Sequence, residues 1–332
     1  MTITSPKRTI AIMMLCAASI GISSASESPN APLGIARSGI TIPPTVGGLT
    51  RSAKTIAPDN LDIQAVFGTE ESGELLTISV FPNTSGNVPV WFSQAQRMIE
   101  IDLHQQDAGL AIPPLSFTPS GLGKDSGILA VYNRLQHGKR QSIGTALFAS
   151  GDWYVLLRAS SLKRSAADTA TWMQAAVTDL SFSSAALGQS VRPIARCTIP
   201  LARAPGIPVD APAYGLVTLT TRKEIPDIRI SASFWCLDSG LGKGQAVYRP
   251  TGTNDRYLLA TDASGSAISV RGEAVVSGTP TYYSVVAVRP RGIDILAMLD
   301  RLPTPSHSLR RAGTSRALRT YQNSVQINNR YR

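Results

Sequence analysis

The sequence predicts an α+β fold: an antiparallel sheet flanked by two helices, followed by a β-rich second domain with one C-terminal helix. Three observations predict it. Residues 61–67 and 74–81 alternate apolar and polar side chains, as half-buried strands do. Residues 87–105 and 165–180 repeat apolar side chains at helical spacing. Beyond residue 186 short strand-like runs continue, and one further helical stretch precedes Pro303.

The first 25 residues read as a secretory signal peptide. Lys7 and Arg8 form a basic start, residues 10–22 an apolar stretch, and Ser23 and Ala25 sit at the −3 and −1 positions of a cut before Ser26. The apolar stretch is shorter than the roughly 20 residues that span a bilayer. A buried N-terminal helix is the competing reading, but the basic, apolar and small-residue zones come in the order a signal needs. Cys16 follows Leu15 rather than the small residue of a lipoprotein signal, so it is read as apolar filler lost with the leader. Cys197 and Cys236 remain, and an even pair in an exported chain reads as one disulfide. Two free thiols buried as small hydrophobes are the alternative. Export places the protein in the periplasm or outside the cell.

The net charge of +10 belongs mostly to the two ends. Loss of Lys7 and Arg8 leaves +8, and the six arginines of residues 303–332, which include no acid, leave about +2 for residues 26–302. A nearly balanced body gives no sign of an electrostatic partner. Its 43% hydrophobic content suits a packed core. No run after the leader is apolar enough to cross a membrane.

Residues 26–38, rich in Ser, Pro, Ala and Gly, read as a linker. Strands are expected over 39–43, 61–67 and 74–81, the last two joined by an acidic turn with Glu70, Glu71 and Glu74. No His or Asp joins these acids in sequence, so they read as a solvated hairpin tip rather than a metal site. The helix over 87–105 is capped by Asn87 and has Pro89 in its first turn, where no amide donor is needed. Its stripe of Trp91, Phe92, Ala95, Met98, Ile99 and Leu103 reads as core. Strands over 127–134, 142–149 and 152–160 follow. Ser165 then begins a helix with Asp168 three residues on, a variant of the capping box. Trp172, Met173, Ala176, Val177 and Leu180 mark its buried face.

The order β-β-β-α-β-β-β-α over residues 39–185 resembles the small α/β sandwiches of the Mog1/PsbP-like superfamily. The resemblance rests on the helix over 89–104, the Trp-Tyr-Val-Leu-Leu-Arg run at 153–158 and the helix over 166–180. It implies a binding or assembly role for this half, since members are mostly non-catalytic. Fold alone does not settle function.

Residues 186–302 read as the β-rich second domain. Strands are expected over 213–220, 228–236, 245–248, 257–260, 268–276 and 282–288, with a helix over 293–302. The pentapeptide Ser239-Gly240-Leu241-Gly242-Lys243 repeats Ser120-Gly121-Leu122-Gly123-Lys124, and an Ala-Val-Tyr run follows each. This half therefore reads as a diverged repeat of the first, against the alternative that Gly-rich turns recur by chance. Residues 303–332 read as a basic disordered tail, of which residues 310–332 are expected to be dispensable for folding. Through Arg310, Arg311, Arg316 and Arg319 it offers either a solvated terminus or a weak tether to an anionic membrane surface. Nucleic acid would satisfy the same charges, but export makes it no natural partner.

Several chemistries lack their residues. A P-loop needs a glycine five residues before its final Gly-Lys pair and Ser or Thr after the lysine. Here Thr118 and Leu237 hold the first position, and Asp125 and Gly244 the second. No Gly-x-Ser-x-Gly elbow occurs, and His104, His137 and His307 show no zinc spacing. No catalytic residue, metal or cofactor is expected. The chain is read as an exported, non-catalytic protein that binds an envelope partner protein or ligand. The alternative is an envelope hydrolase whose paired carboxylates meet only in space.

Overall fold

A computed structural model describes residues 30–322, apart from 36, 58–60, 104–107, 137, 183–188, 203–206, 211–233 and 275–280. The leader, His104, His137 and the strand expected over 213–220 lie outside the described residues. The chain is α+β and β-rich, its strands almost all antiparallel.

The first half opens with β1 (Leu33–Ile35) and β2 (Ile40–Ile42), which pair antiparallel. The expected linker therefore contains a strand. Leu33 and Ile35 alternate into the core, and Ser38 closes the turn by donating to Ile35 O and accepting from Ile40 N. Next come β3 (Thr45–Val46), β4 (Leu49–Ile56), β5 (Ile63–Thr69) and β6 (Glu74–Pro82). Helix α1 (Val88–Leu103) starts where Asn87 Oδ1 accepts from Val90 N. Strands β7 (Ala108–Phe117), β8 (Gly127–Gln136), β9 (Lys139–Ser150) and β10 (Trp153–Ser161) follow. Helix α2 (Ala166–Thr178) is capped by Ser165, which accepts from Asp168 N, and β11 (Ser181–Phe182) returns to β2.

The main sheet of this half has the order β3-β4-β5-β6-β10-β9-β8-β7. Its outer strands β4 and β7 give little sign in sequence. Strand β4 buries almost nothing, and β7 carries Pro113 and Pro114, which an edge strand tolerates. One face packs on α2 and the β1-β2-β11 sheet, burying Phe67, Phe148, Trp172 and Met173. The other face packs on α1.

The second half holds β12 (Ala195–Arg196), β13 (Trp235–Gly240), β14 (Ala246–Pro250), β15 (Tyr257–Ala260), β16 (Ala267–Ala274), β17 (Thr281–Arg289) and β18 (Gly292–Leu299). Helix α3 (Pro305–Thr314) and β19 (Arg319–Gln322) complete it. The eight strands form one sheet in sequence order, with only β12 parallel to its neighbour.

Two expectations for this half are corrected. The helix placed at 293–302 is strand β18. Its Ile293, Ile295 and Met298 face one core, and Leu296, Ala297 and Leu299 face another. A strand buried on both faces loses its alternation, and a bulge opposite Val285 and Val286 adds a residue, so the spacing mimics a helix. The tail is folded at least to residue 322. Thr304 caps α3 by accepting from His307 N, Pro305 begins it, and Leu309 and Ala312 pack on the sheet. Tyr257 donates to Pro303 O at 3.0 Å and lies 2.8 Å from the buried Ser308 hydroxyl. β19 pairs with β18 and buries Tyr321. A few apolar residues suffice because they cover a preformed sheet.

Helix α1 is shared by both halves. The sheet of the first half, α1 and the sheet of the second enclose one core that includes Phe81, Trp91, Phe92, Tyr154, Tyr248 and Leu258. From α2 to α3 the layers run helix, sheet, helix, sheet, helix.

Candidate functional site

Helix α1 packs mainly on β8 and β9, and beyond Phe81, Tyr154 and Leu156 the same sheet face continues past the helix. On β4, β5 and β6 that face presents polar side chains in register, and β10 adds Leu156 and Arg158. Thr55 lies opposite Gln64, Gln64 opposite Ser79, and Ser79 opposite Leu156. The second half closes one side with the β15–β16 turn. There Asp262 Oδ1 accepts from the amide and hydroxyl of Ser264, both at 2.8 Å. Thr84 donates to Gly265 O at 2.5 Å, which pins the turn to the end of β6. The result is a cleft of about 320 Å³. Thr55, Asp62, Gln64, Ser79, Arg158 and Ser264 supply its polar lining, and Phe81 and Leu156 are among its apolar residues.

Arg158 is the only cation among the lining residues. It continues the inward-facing series Tyr154, Leu156 of β10. More than a third of its side chain remains accessible, yet burial still lowers its pKa, and the Asp102 carboxylate at the end of α1 partly opposes that shift. Among the described residues no hydrogen bond or ion pair involves the Arg158 side chain. Three other arginines have carboxylate partners within the chain. Arg164 pairs with Glu74 at 2.7 Å, Arg271 with Glu273 at 2.6 Å, and the fully buried Arg249 with Asp238 at 2.7 Å.

No family model matches the chain, and no curated protein does. Among solved structures, the Ran-binding protein Mog1p of Saccharomyces cerevisiae is similar at 8% identity. The match covers 42% of this chain and 100% of that one, with a TM-score of 0.26. At that score it carries no argument.

The residues singled out in sequence fall outside the cleft. Cys197 and Cys236 form a disulfide with their Cα atoms 4.9 Å apart. Arg249, opposite Cys236 on β14, reinforces this corner by donating to Ile199 O and Thr253 O. Of the tail arginines, Arg311 pairs with Asp210 at 3.0 Å and Arg319 lies over the Tyr321 ring, while Arg310 and Arg316 are exposed. They belong to a folded surface, not to a mobile chain. Glu74 is engaged by Arg164, and Glu70 and Glu71 are exposed at the β5–β6 turn. Among the described residues no group of His, Cys, Asp or Glu could hold a metal ion, and no helix is long and apolar enough to cross a membrane.

Both Ser-Gly-Leu-Gly-Lys copies are turns between antiparallel strands, β7–β8 and β13–β14. Neither precedes an α-helix, so neither has P-loop geometry. They differ in detail. The first places Gly121 at φ +74° in open space, whereas the second leads into Gly244 at φ +82°, where a Cβ would strike Met98 of α1.

Sequence reasoning missed the cleft because its residues come from four strands, the β4–β5 connection and a distant turn. One signal was present: an arginine at an inward position of the otherwise apolar 153–158 run.

Proposed function

We propose that this chain is an exported, non-catalytic envelope protein that holds a ligand or a segment of a partner protein in the cleft between its two sheets. One observation carries the reading: the cleft has a pinned rim, and its lining presents a cation with which no described side chain forms an ion pair. A preformed concavity with few polar anchors and apolar walls is the usual form of a binding site. The leader sequence and the disulfide support an extracytoplasmic setting. The element order of residues 39–185 supports our assignment of that half to the Mog1/PsbP-like sandwiches. Exposed Arg310 and Arg316 support a secondary, weak contact with an anionic surface.

The test is purification from the exported fraction of its host, with and without crosslinker, of the natural chain and of Ser264→Trp, which fills the cleft mouth. A species recovered with the natural chain and lost with the variant is the expected result. Equal recovery with both chains overturns the cleft as the site. Turnover of an envelope substrate that disappears in Asp62→Asn establishes the hydrolase instead.

A further inference from the structure

We propose that the cleft selects a small ligand bearing one oxyanion group, a carboxylate or a phosphate ester, which Arg158 anchors. The proposal rests on the binding reading above and names its ligand chemistry.

A guanidinium is a planar fork of donors that matches carboxylate and phosphate oxygens two at a time. Where water is partly withdrawn from it, oxygens of the protein can take water's place, as those of Glu74, Asp238 and Glu273 do for Arg164, Arg249 and Arg271. The Arg158 side chain pairs with none among the described residues, although it stands on a central strand and is partly desolvated. Asp102 is near enough to favour its charge but forms no ion pair with it. An anion entering the cleft would supply the missing oxygens. It would do so beside Phe81 and Leu156, where reduced access of water strengthens the pairing.

The rest of the lining narrows the class. Thr55, Gln64, Ser79 and Ser264 are neutral groups that can donate to or accept from hydroxyls or amides. With one cation in the lining, they suit a ligand with one anionic head and an otherwise polar, uncharged body. A volume of about 320 Å³ stands at the small end of ligand sites. The pinned Asp262–Gly265 turn means that little ordering has to accompany binding.

The test is titration of the ¹⁵N-labelled full chain with sodium acetate and, separately, sodium phosphate, read from amide shifts at Gln64, Ser79, Ser264 and Gly265. Ionic strength is held constant with sodium chloride within each titration, and the titrations are repeated at higher chloride. Saturable shifts confined to the cleft, weakening as chloride is raised, are expected for at least one salt. Tighter binding of phosphate assigns a phosphate ester, and tighter binding of acetate a carboxylate. Arg158→Gln should weaken the binding about tenfold or more, the usual worth of a charged hydrogen-bonded contact. Gln64→Glu, at an exposed strand position, should weaken it comparably with Arg158 intact, and decides the matter if the arginine variant does not fold. No cleft shift up to about 50 mM of either salt, far above a millimolar site, overturns the proposal. So does binding that neither variant changes. A neutral species recovered from the exported fraction in the cleft overturns the anion chemistry and leaves the binding reading standing. Absence of both salt binding and any recovered species overturns the two together.

Discussion

Tyr132 and Tyr248 reach helix α1 from two different sheets. The Tyr132 hydroxyl accepts from Gln96 Nε2 at 2.9 Å and donates to Glu100 Oε1 at 3.1 Å. The Tyr248 hydroxyl lies 3.2 Å from Gln94 Oε1 and 3.3 Å from Ser93 Oγ. Each tyrosine ends an Ala-Val-Tyr run that follows one copy of the repeated glycine-rich pentapeptide. Burial raises both phenols, so they stay protonated as donors. The likeness between the halves is local, because the strand orders differ: β6 pairs with β10 in one sheet, and the other runs in sequence order.

Gln94 joins the halves at this point. Its side chain is fully buried, donates to Gly244 O at 2.8 Å and accepts from Tyr248. Gln94→Leu takes the donor from Gly244 O and leaves the Tyr248 hydroxyl only Ser93, and should cost about 1–3 kcal/mol. Tyr248→Phe should cost about 1–2 kcal/mol, and the double variant less than the sum of the two. Urea unfolding of the three variants checks this coupling.

Gly244→Ala should be distinctly worse than Gly121→Ala. Both backbones lie at positive φ, where a Cβ costs about 1–2 kcal/mol. Only at 244 does the added atom also meet Met98 of α1. Denaturation midpoints of the two variants give the comparison, and equal losses would show that α1 does not press on this turn.

Removal of residues 304–332 should destabilise the chain, contrary to the expectation for a disordered tail. It strips α3 from Val247, Tyr257 and Leu259 and takes β19 from β18. Ser308→Ala, which removes one buried hydrogen bond to Tyr257, should cost about 1 kcal/mol. The thermal midpoint is the readout, and an unchanged midpoint on truncation would mean that neither element supports the sheet.

Reduction, or the double change Cys197→Ser and Cys236→Ser, should cost about 4 kcal/mol on the chain-entropy account of a loop with a sequence separation of 39. Calorimetry with and without reductant measures it. A much smaller loss would show that Arg249 and its carbonyl contacts hold residues 197–199 without the bond.

Stability should fall as pH drops below about 6.5. Burial, reinforced by Arg311 and Arg310 and opposed by Asp210, lowers the pKa of His307 in the folded chain. Its Nε2 is buried with no hydrogen-bond partner among the described residues. An unfolded chain takes up this proton near pH 6.5, the folded chain only at lower pH. Within that window the unfolded state binds more protons, so acid favours it. Urea midpoints between about pH 7.5 and 5 should vary less in His307→Gln.

What the sequence determined by itself was local or covalent. The alternation of β5 and β6, the stripe of α1, the Ser165 cap of α2 and the pairing of the two remaining cysteines depend on nearby residues or on chain-wide counts. Tertiary structure decided what depends on distant partners. Strand β18 is a strand because β17 and β19 flank it, and α3 holds because a sheet built from residues 235–299 is there to cover. Edge strands β4 and β7 bury too little to announce themselves. The cleft needed four paired strands, the β4–β5 connection, a sheet face that continues past helix α1 and a turn about a hundred residues beyond Arg158. Periodicity reports which face of an element is apolar, but it does not report what faces it, and only the fold shows that no described carboxylate forms an ion pair with Arg158.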